Sequence, residues 1–449
     1  MATTSLHNDK RDAVAGRIED KGARRRILLA GTIGTTIEWY DFFIYAFIAP
    51  LVFDQLFFPK YEQLTATLAV FATFAAGFLV RPLGGLVFGH FGDRVGRKSV
   101  LLCSLLMMGL ATMLIGLLPT YGSAGLIATV ALVVLRLLQG FALGGESTAA
   151  NLMAIETAPS GRRGLAAAWI QAAGPLGVVL AFLAAMMISR LPEEDLLTWA
   201  WRVPFLVSGV LVALGVYMRL RIEESAIFRQ TSPAAAMPAM EAIRSHPRSI
   251  IAVLFAEVAQ TSYFYLTAVF VISFATRQLG VGKDVVTRAV LMANLVALVA
   301  MPLVGAWCDR VGRKPLFLAG TVLAAVSMPL YYYLAGTRDP VLMTVAVMAT
   351  AGLIHPLMFA TEGSYFPELF PTRVRFSGVS IGKQIGAVLG GGIAPLMATA
   401  LYAWTGTSFS IAGYYAALAL IATIALSLVK DTRDMSISDN ERSDLRSKS

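Results

Sequence analysis

The sequence predicts an all-α membrane protein of about twelve transmembrane helices arranged as two six-helix pseudo-repeats, and three observations carry that prediction. The first is composition: of 449 residues 57% are hydrophobic and 14% charged, against roughly 45–50% and about 25% in ordinary soluble domains. The second is spacing, because apolar runs of about 20 residues recur along the chain, and at 1.5 Å rise per residue each crosses a hydrocarbon core of about 30 Å. The third is repetition. GHFGDRVGRK from Gly89 returns as GAWCDRVGRK from Gly305, an offset of 216 residues (89 to 305).

Taken in order, the spans fall near 27–53, 66–88, 99–118, 124–150, 164–189, 201–220, 249–275, 286–306, 315–335, 340–364, 376–401 and 409–429. Helices are required because lipid leaves backbone N–H and C=O groups no partner outside the chain, and the polar/apolar alternation of a membrane barrel is lacking. The first span is too long for a signal-peptide core and has no small-residue cleavage site, so it reads as retained. The stretch 1–26 reads as an N-terminal tail, 27–220 as the first six-helix bundle, 221–248 as a polar, proline-containing linker, 249–429 as the second bundle and 430–449 as a C-terminal tail. Roughly fifteen Lys and Arg fall on one set of loops and about seven on the other, which places both tails in the cytoplasm of a bacterial cell with the chain in its inner membrane. The net charge of +9 then reflects orientation and contact with anionic lipid, and its scatter over short loops argues against nucleic acid. Cys103 and Cys308 lie in separate spans and form no ligand set, so neither metal nor disulfide nor other cofactor is expected.

Weaker echoes extend the repeat: ETAPSGRRG from Glu156 against ELFPTRVRFSG from Glu368, and QAAGPLG from Gln171 against QIGAVLG from Gln384. In the doubled loop, Gly89 permits close helix approach, Asp93 and Asp309 stand where a helix N-terminus can hold them, and Arg97 and Arg313 can pair across the cytoplasmic helix ends. The set reads as a latch that shuts one face, the alternative being charges that only anchor topology.

That loop resembles the signature loop of the major facilitator superfamily. EWYDFFIY, FLVRPLGGLVFGHFGDRVGRK, LRLLQGFALGGE, WRVPF from Trp201 and EES from Glu223 are similar to one branch of it over residues 27–430: the metabolite:proton symporters, which include shikimate, 2-oxoglutarate, citrate and proline/betaine carriers. AVLGGGIAP from Ala387 is most similar to shikimate-type members. The resemblance implies the major facilitator fold, proton-coupled uptake by alternating access, and a proton-coupling role for the R-x-x-Q-G segment that Arg136 and Gln139 match.

The buried charges sharpen this reading. Glu38, Asp41 and Tyr45 follow i, i+3, i+7 on one face of the first span, and Asp41 lies about 20 Å along it, near mid-membrane. A carboxylate at that depth costs at least about 2.5 kcal/mol, so a cation or a proton must compensate. Arg136, at similar depth in the fourth span, is the cation on offer: Asp41 and Arg136 read as a switching pair with Glu38 as second proton carrier, or else as a static pair that fixes packing. In the second half Lys383 and Gln384, with Gln171 at the equivalent place in the first, are candidate substrate contacts, and the ammonium needs an anion from Glu257, Glu362 or the substrate. Tyr263, Tyr265 and Asn294 are either further contacts or interhelical hydrogen-bond partners. Arg81 reads as a gating or snorkelling residue.

A channel would need a selectivity ring, and an enzyme or ATP-driven pump would need a catalytic set or phosphate loop; His90 and His355 are isolated and no Walker-type motif occurs. The expected partners are protons, the bilayer and a small organic anion, met by Arg136 and Lys383 from opposite halves, with a zwitterion such as proline or betaine as the alternative. The expected state is a monomer.

Overall fold

The computed structural model describes residues 21–59, 63–159, 161–224 and 237–433. The two tail segments expected at 1–26 and 430–449, and the middle of the linker, lie mostly outside them. Among the described residues, eleven helices are long and apolar enough to cross a membrane. In chain order with the 32-residue Gln63–Arg94 they make α1 (Lys21–Phe57), α2 (Gln63–Arg94), α3 (Arg97–Leu117), α4 (Leu126–Thr157), α5 (Arg163–Ile188), α6 (Glu193–Leu220), α7 (Pro247–Arg277), α8 (Lys283–Val311), α9 (Arg313–Gly336), α10 (Pro340–Glu368), α11 (Thr372–Thr405) and α12 (Phe409–Ser427). Both described chain ends thus lie on one face, here called the tail side.

Each DRVGRK loop runs from one helix into the next almost without a break, through Val95 and Gly96 in the first copy and Gly312 alone in the second, with Gly96 at φ 118° and Gly312 at φ 115°. A side chain would be strained at either, so glycine sets these turns. Breaks in the α-helical ladder concentrate in the second half, where π-helical turns interrupt α7 at Tyr265–Phe270, α10 at Met348–Ile354 and α11 at Val388–Ile393. Such turns shift the faces of a helix and are frequent at functional sites. The linker contributes a short helix, Pro238–Ser245, whose Ala242 is fully buried and whose Glu241 pairs with Arg373 at the start of α11.

The halves meet along two seams. α5 packs against α1 in its own half and α8 in the other, while α2 packs against α4 and across to α11. Alanines make the first seam close: Ala168 and Ala172 share a core with Ala297, Met301 and Leu357. Glycines do the same inside the first half, where a β-carbon on Gly140 would lie 2.0 Å from the Gly77 carbonyl oxygen and one on Gly144 2.4 Å from the Gly85 nitrogen. Small residues drive this kind of helix approach in lipid, where the hydrophobic effect offers no gain between apolar faces. Gly144→Val should therefore force α2 and α4 apart, cost about 1–3 kcal/mol and lower the thermal midpoint of purified protein. Gly413→Ala, with nothing within 4 Å of the new β-carbon, should not.

Candidate functional site

Asp41 is fully buried on α1, and its Oδ1 accepts from the Ser208 hydroxyl of α6 at 2.5 Å. Arg136 is equally buried on α4, donates from Nη1 to Gln139 Oε1 at 2.7 Å, and lies over the Tyr45 ring at 3.9 Å and the Phe42 ring at 5.3 Å. Gln139 Nε2 in turn donates to Thr112 Oγ1 of α3 at 2.6 Å. The expected direct Asp41–Arg136 pair is therefore corrected: the two residues belong to one buried polar network, but Gln139 and Thr112 stand between them and Ser208 takes the carboxylate. The reason is lateral: α3 and α6 both reach α1, and their short hydroxyl side chains approach Asp41 more closely than an arginine that stacks on Tyr45 and Phe42. Tyr45 meets the network through its ring, under Arg136, and its hydroxyl is hydrogen-bonded to Thr73.

Glu38 is 3% exposed, and its Oε2 makes no hydrogen bond. It lies in the electrostatic field of Arg81, Arg219 and Lys383 and of a second carboxylate, Glu146. Sequence reasoning missed Glu146–Arg219, a fully buried ion pair between α4 and α6 in which Ser104 Oγ also donates to Glu146 at 2.5 Å. Arg219 falls at the end of the sixth expected span, 201–220, where position along the chain gives no sign of a buried partner. Gly34 was the available signal, since any side chain there would collide with the guanidinium. Arg81 does not snorkel to the headgroups; its guanidinium packs inward over Phe78 at 4.5 Å and Phe42 at 5.0 Å.

In the second half Lys383 Nζ donates to Glu362 Oε1 at 2.8 Å, which selects one of the anions expected for it. The same oxygen accepts from Gln171 Nε2 at 3.0 Å across the seam, and Gln171 also reaches the Phe359 carbonyl at 2.9 Å and receives Asn151 at 3.1 Å. Gln384 crosses the other way to the Gly144 carbonyl at 3.2 Å. Lys383 and Gln171 are thus joined through Glu362, while Gln384 makes a separate crossing. Asn294 lines a small crevice between the halves with Trp39, Phe264, His355 and Phe359, and Tyr265 packs on Phe78. Tyr263 is not brought there; it is buried in the core of the second half, bonded to Ser327 at 2.8 Å and packed on Tyr415.

On the tail side, Asp93 accepts from the backbone N–H groups of Phe376 (3.1 Å) and Ser377 (2.9 Å) near the start of α11, and Asp309 from Gly164 (2.8 Å) and Leu165 (2.9 Å) at the start of α5. Each carboxylate therefore caps a helix of the opposite half, which favours it by dipole and by charge-assisted hydrogen bonds. Glu156 sits between Arg97 at 3.5 Å and Arg375 at 3.3 Å, and Glu368 between Arg313 at 3.2 Å and Arg163 at 3.8 Å. Arg97 itself reaches across to the Thr372 carbonyl, whereas Arg313 pairs within its half and leaves the crossing to Arg163. Gly89 lets Ser377 approach, a β-carbon there falling 3.1 Å from its Cα.

Two pseudo-equivalent bundles with a closed tail side and buried ionisable groups on the faces that meet are the construction of a membrane carrier. Residues 27–244 match the sugar (and other) transporter family, and residues 258–447 match the major facilitator superfamily. The inner membrane metabolite transport protein YhjE of Escherichia coli K12 is 36% identical over 427 residues, which cover 92% of this chain and 96% of that one. The shikimate transporter of the same strain is 34% identical over 416 residues (91% and 95%), and the proline/betaine transporter of Salmonella typhimurium LT2 is 29% identical over 429 (92% and 85%). The fold is shared with a solved structure of the proton:xylose symporter XylE bound to 6-bromo-6-deoxy-D-glucose, at TM-score 0.76 and 18% identity over 94% of this chain and 99% of that one. The chain belongs to the major facilitator superfamily and is a multi-pass membrane transporter of metabolites, not an enzyme.

If the aspartate caps hold the tail side shut, Asp93→Asn should loosen it by removing the charge while keeping the shape. A single cysteine at Gln384→Cys, in a Cys103→Ser/Cys308→Ser background, should then react several-fold faster with a membrane-impermeant thiol reagent applied from the tail side. Equal rates with and without Asp93→Asn would leave the loop as a topology anchor.

Proposed function

We propose that the protein is a proton-coupled symporter that takes up a small organic anion by alternating access, lying in a bacterial inner membrane with both termini cytoplasmic. The observation that carries this reading is Asp41: a carboxylate with no exposure, bonded to the Ser208 hydroxyl rather than to a cation, and facing Thr112, which is hydrogen-bonded through Gln139 to Arg136. A charge so placed is expensive unless it takes a proton, and a guanidinium offers a substrate carboxylate two parallel bonds where an ammonium offers one point charge. Lys383, held by Glu362, serves as the second cationic contact from the opposite half. The similarity to a shikimate transporter supports an organic acid. The similarity to a proline/betaine transporter, together with the aromatic crevice of Trp39, Phe264 and Phe359 and the buried Glu257, whose Oε2 makes no hydrogen bond, supports a zwitterion as the second reading.

Proteoliposomes given a pH gradient, acid outside, should accumulate labelled shikimate, with labelled betaine as the competing candidate. Dissipating the gradient should abolish accumulation; uptake that follows a sodium gradient instead would overturn the proton reading. Asp41→Asn should keep exchange of labelled for unlabelled substrate and lose uphill accumulation, while Arg136→Lys should weaken binding itself by tenfold or more, equivalent to about 1.4 kcal/mol.

A further inference from the structure

The polar network of the first half has a direction. Arg136 donates to Gln139, Gln139 donates to Thr112, and the Thr112 hydroxyl stands against the Asp41 carboxylate. Thr112 has one proton to give, and in this structure it goes to the Met108 carbonyl of its own helix at 2.9 Å. Asp41 meanwhile spends Oδ1 on Ser208, and its Oδ2 is buried without a hydrogen bond. A threonine hydroxyl rotates freely between two acceptors, so one bond rotation would close the chain from Arg136 to Asp41.

We infer that Thr112 is the switch between proton and substrate: its hydroxyl turns to Asp41 when that carboxylate is ionised and to the Met108 carbonyl when it is protonated. The inference rests on the proton-coupled reading above and assigns the residue through which Asp41 acts on Arg136. With Asp41 ionised, four groups on three helices line up head to tail, and each bond polarises the next. Gln139 then holds Arg136 most tightly. With Asp41 protonated the chain ends on a neutral group, Thr112 turns back to its helix, and the grip of Gln139 on the guanidinium relaxes toward an incoming carboxylate. The arrangement seen here, Thr112 on Met108, is the relaxed one. The other groups facing Asp41 do not compete for this role. Ser208 is already committed to Oδ1, and the neighbouring Tyr40 gives its hydroxyl to the Pro204 carbonyl at 2.8 Å. The nearest cation of the network is Arg136 itself, while Glu38 looks toward Arg81, Arg219 and Lys383.

Thr112 is a positioning residue, so its test needs a readout that packing alone would not move. Infrared difference spectra of the purified full-length protein, recorded against pH without substrate, report protonated carboxyl groups and side-chain amides separately. Asp41→Asn identifies the Asp41 band and Gln139→Leu the Gln139 amide band. In the parent, the Gln139 band should shift as Asp41 titrates. Thr112→Val keeps the shape but deletes the hydroxyl; it should raise the Asp41 midpoint by about one pH unit, the effect of losing one hydrogen bond to the ionised form, and should abolish the coupled Gln139 shift. Thr112→Ser should restore both. An Asp41 band that titrates with the Gln139 shift intact in Thr112→Val would overturn the inference while leaving the proton site standing. Absence of any band lost in Asp41→Asn would overturn the proton site itself and the switch with it.

Discussion

The grip of Asp93 and Asp309 on the backbone of the opposite half is the constraint from which the rest of this state follows. Each carboxylate receives two N–H groups at the start of a helix, and hydrogen bonds to a charged acceptor contribute about 1.5–3 kcal/mol apiece. These four bonds set the ends of α5 and α11 against α8 and α2. Once the ends are fixed, Gln171 meets Glu362 and Gln384 meets the Gly144 carbonyl. The arginines around Glu156 and Glu368 could not be buried without those acceptors, because a lone buried charge is worth several kcal/mol of destabilisation. Latch, arginine clusters and inner seam are one structure closing on one side.

The two halves share a frame and differ in what they hang on it. The offset of the doubled loop (89 to 305) also relates Glu146 to Glu362 and Asp41 to Glu257. Glu146 takes its cation from α6 as Arg219, in a pair sealed by Ser104. Glu362 takes its cation from α11 as Lys383, and shares it with a residue of the other half. A forked arginine pair inside one bundle is rigid, whereas an ammonium that also depends on a cross-seam amide changes environment whenever the seam opens. The first half is thereby suited to carry a fixed scaffold for its buried polar network, and the second to register the movement of the halves.

Much of this was legible in the sequence, and the limits have a physical cause. The spans were readable because lipid permits only long apolar helices, and the repeat because both copies of the loop need the same glycine turn and the same aspartate. Even the capping of Asp93 and Asp309 followed from the chemistry of helix N-termini. What could not be read was which side chains meet laterally. Arg136 and Asp41 do fall in one buried network, yet Gln139 and Thr112 intervene, because counting along one helix gives only depth and adjacency depends on how four helices rotate. Tyr263 went astray for the same reason: it lies two residues from Tyr265, and positions i and i+2 of a helix project to opposite sides, sending one to the core and the other to the seam. Arg219 was hidden because its partner lies 73 residues away, on a helix where Glu146 was noticed only as part of a resemblance.

Alternating access requires that the closed tail side be stable but not too stable. To move an equilibrium from one face strongly to the other, a bound ligand must supply about 5.5 kcal/mol of preference between the two states, which is the order of a few charge-assisted hydrogen bonds. The side chains in a position to supply it are those set between two partners. Glu362 divides itself between Lys383 and Gln171, so any anion that draws the ammonium away also alters a bond that crosses the seam. Thr112 stands between Asp41 and the carbonyl of its own helix, and in the switch inferred above a proton on Asp41 alters the hold on Arg136. In both places one donor or acceptor serves two masters, one belonging to a bundle and the other to the transported species. That sharing lets a small ligand act on a large motion without any element of the fold being weak by itself.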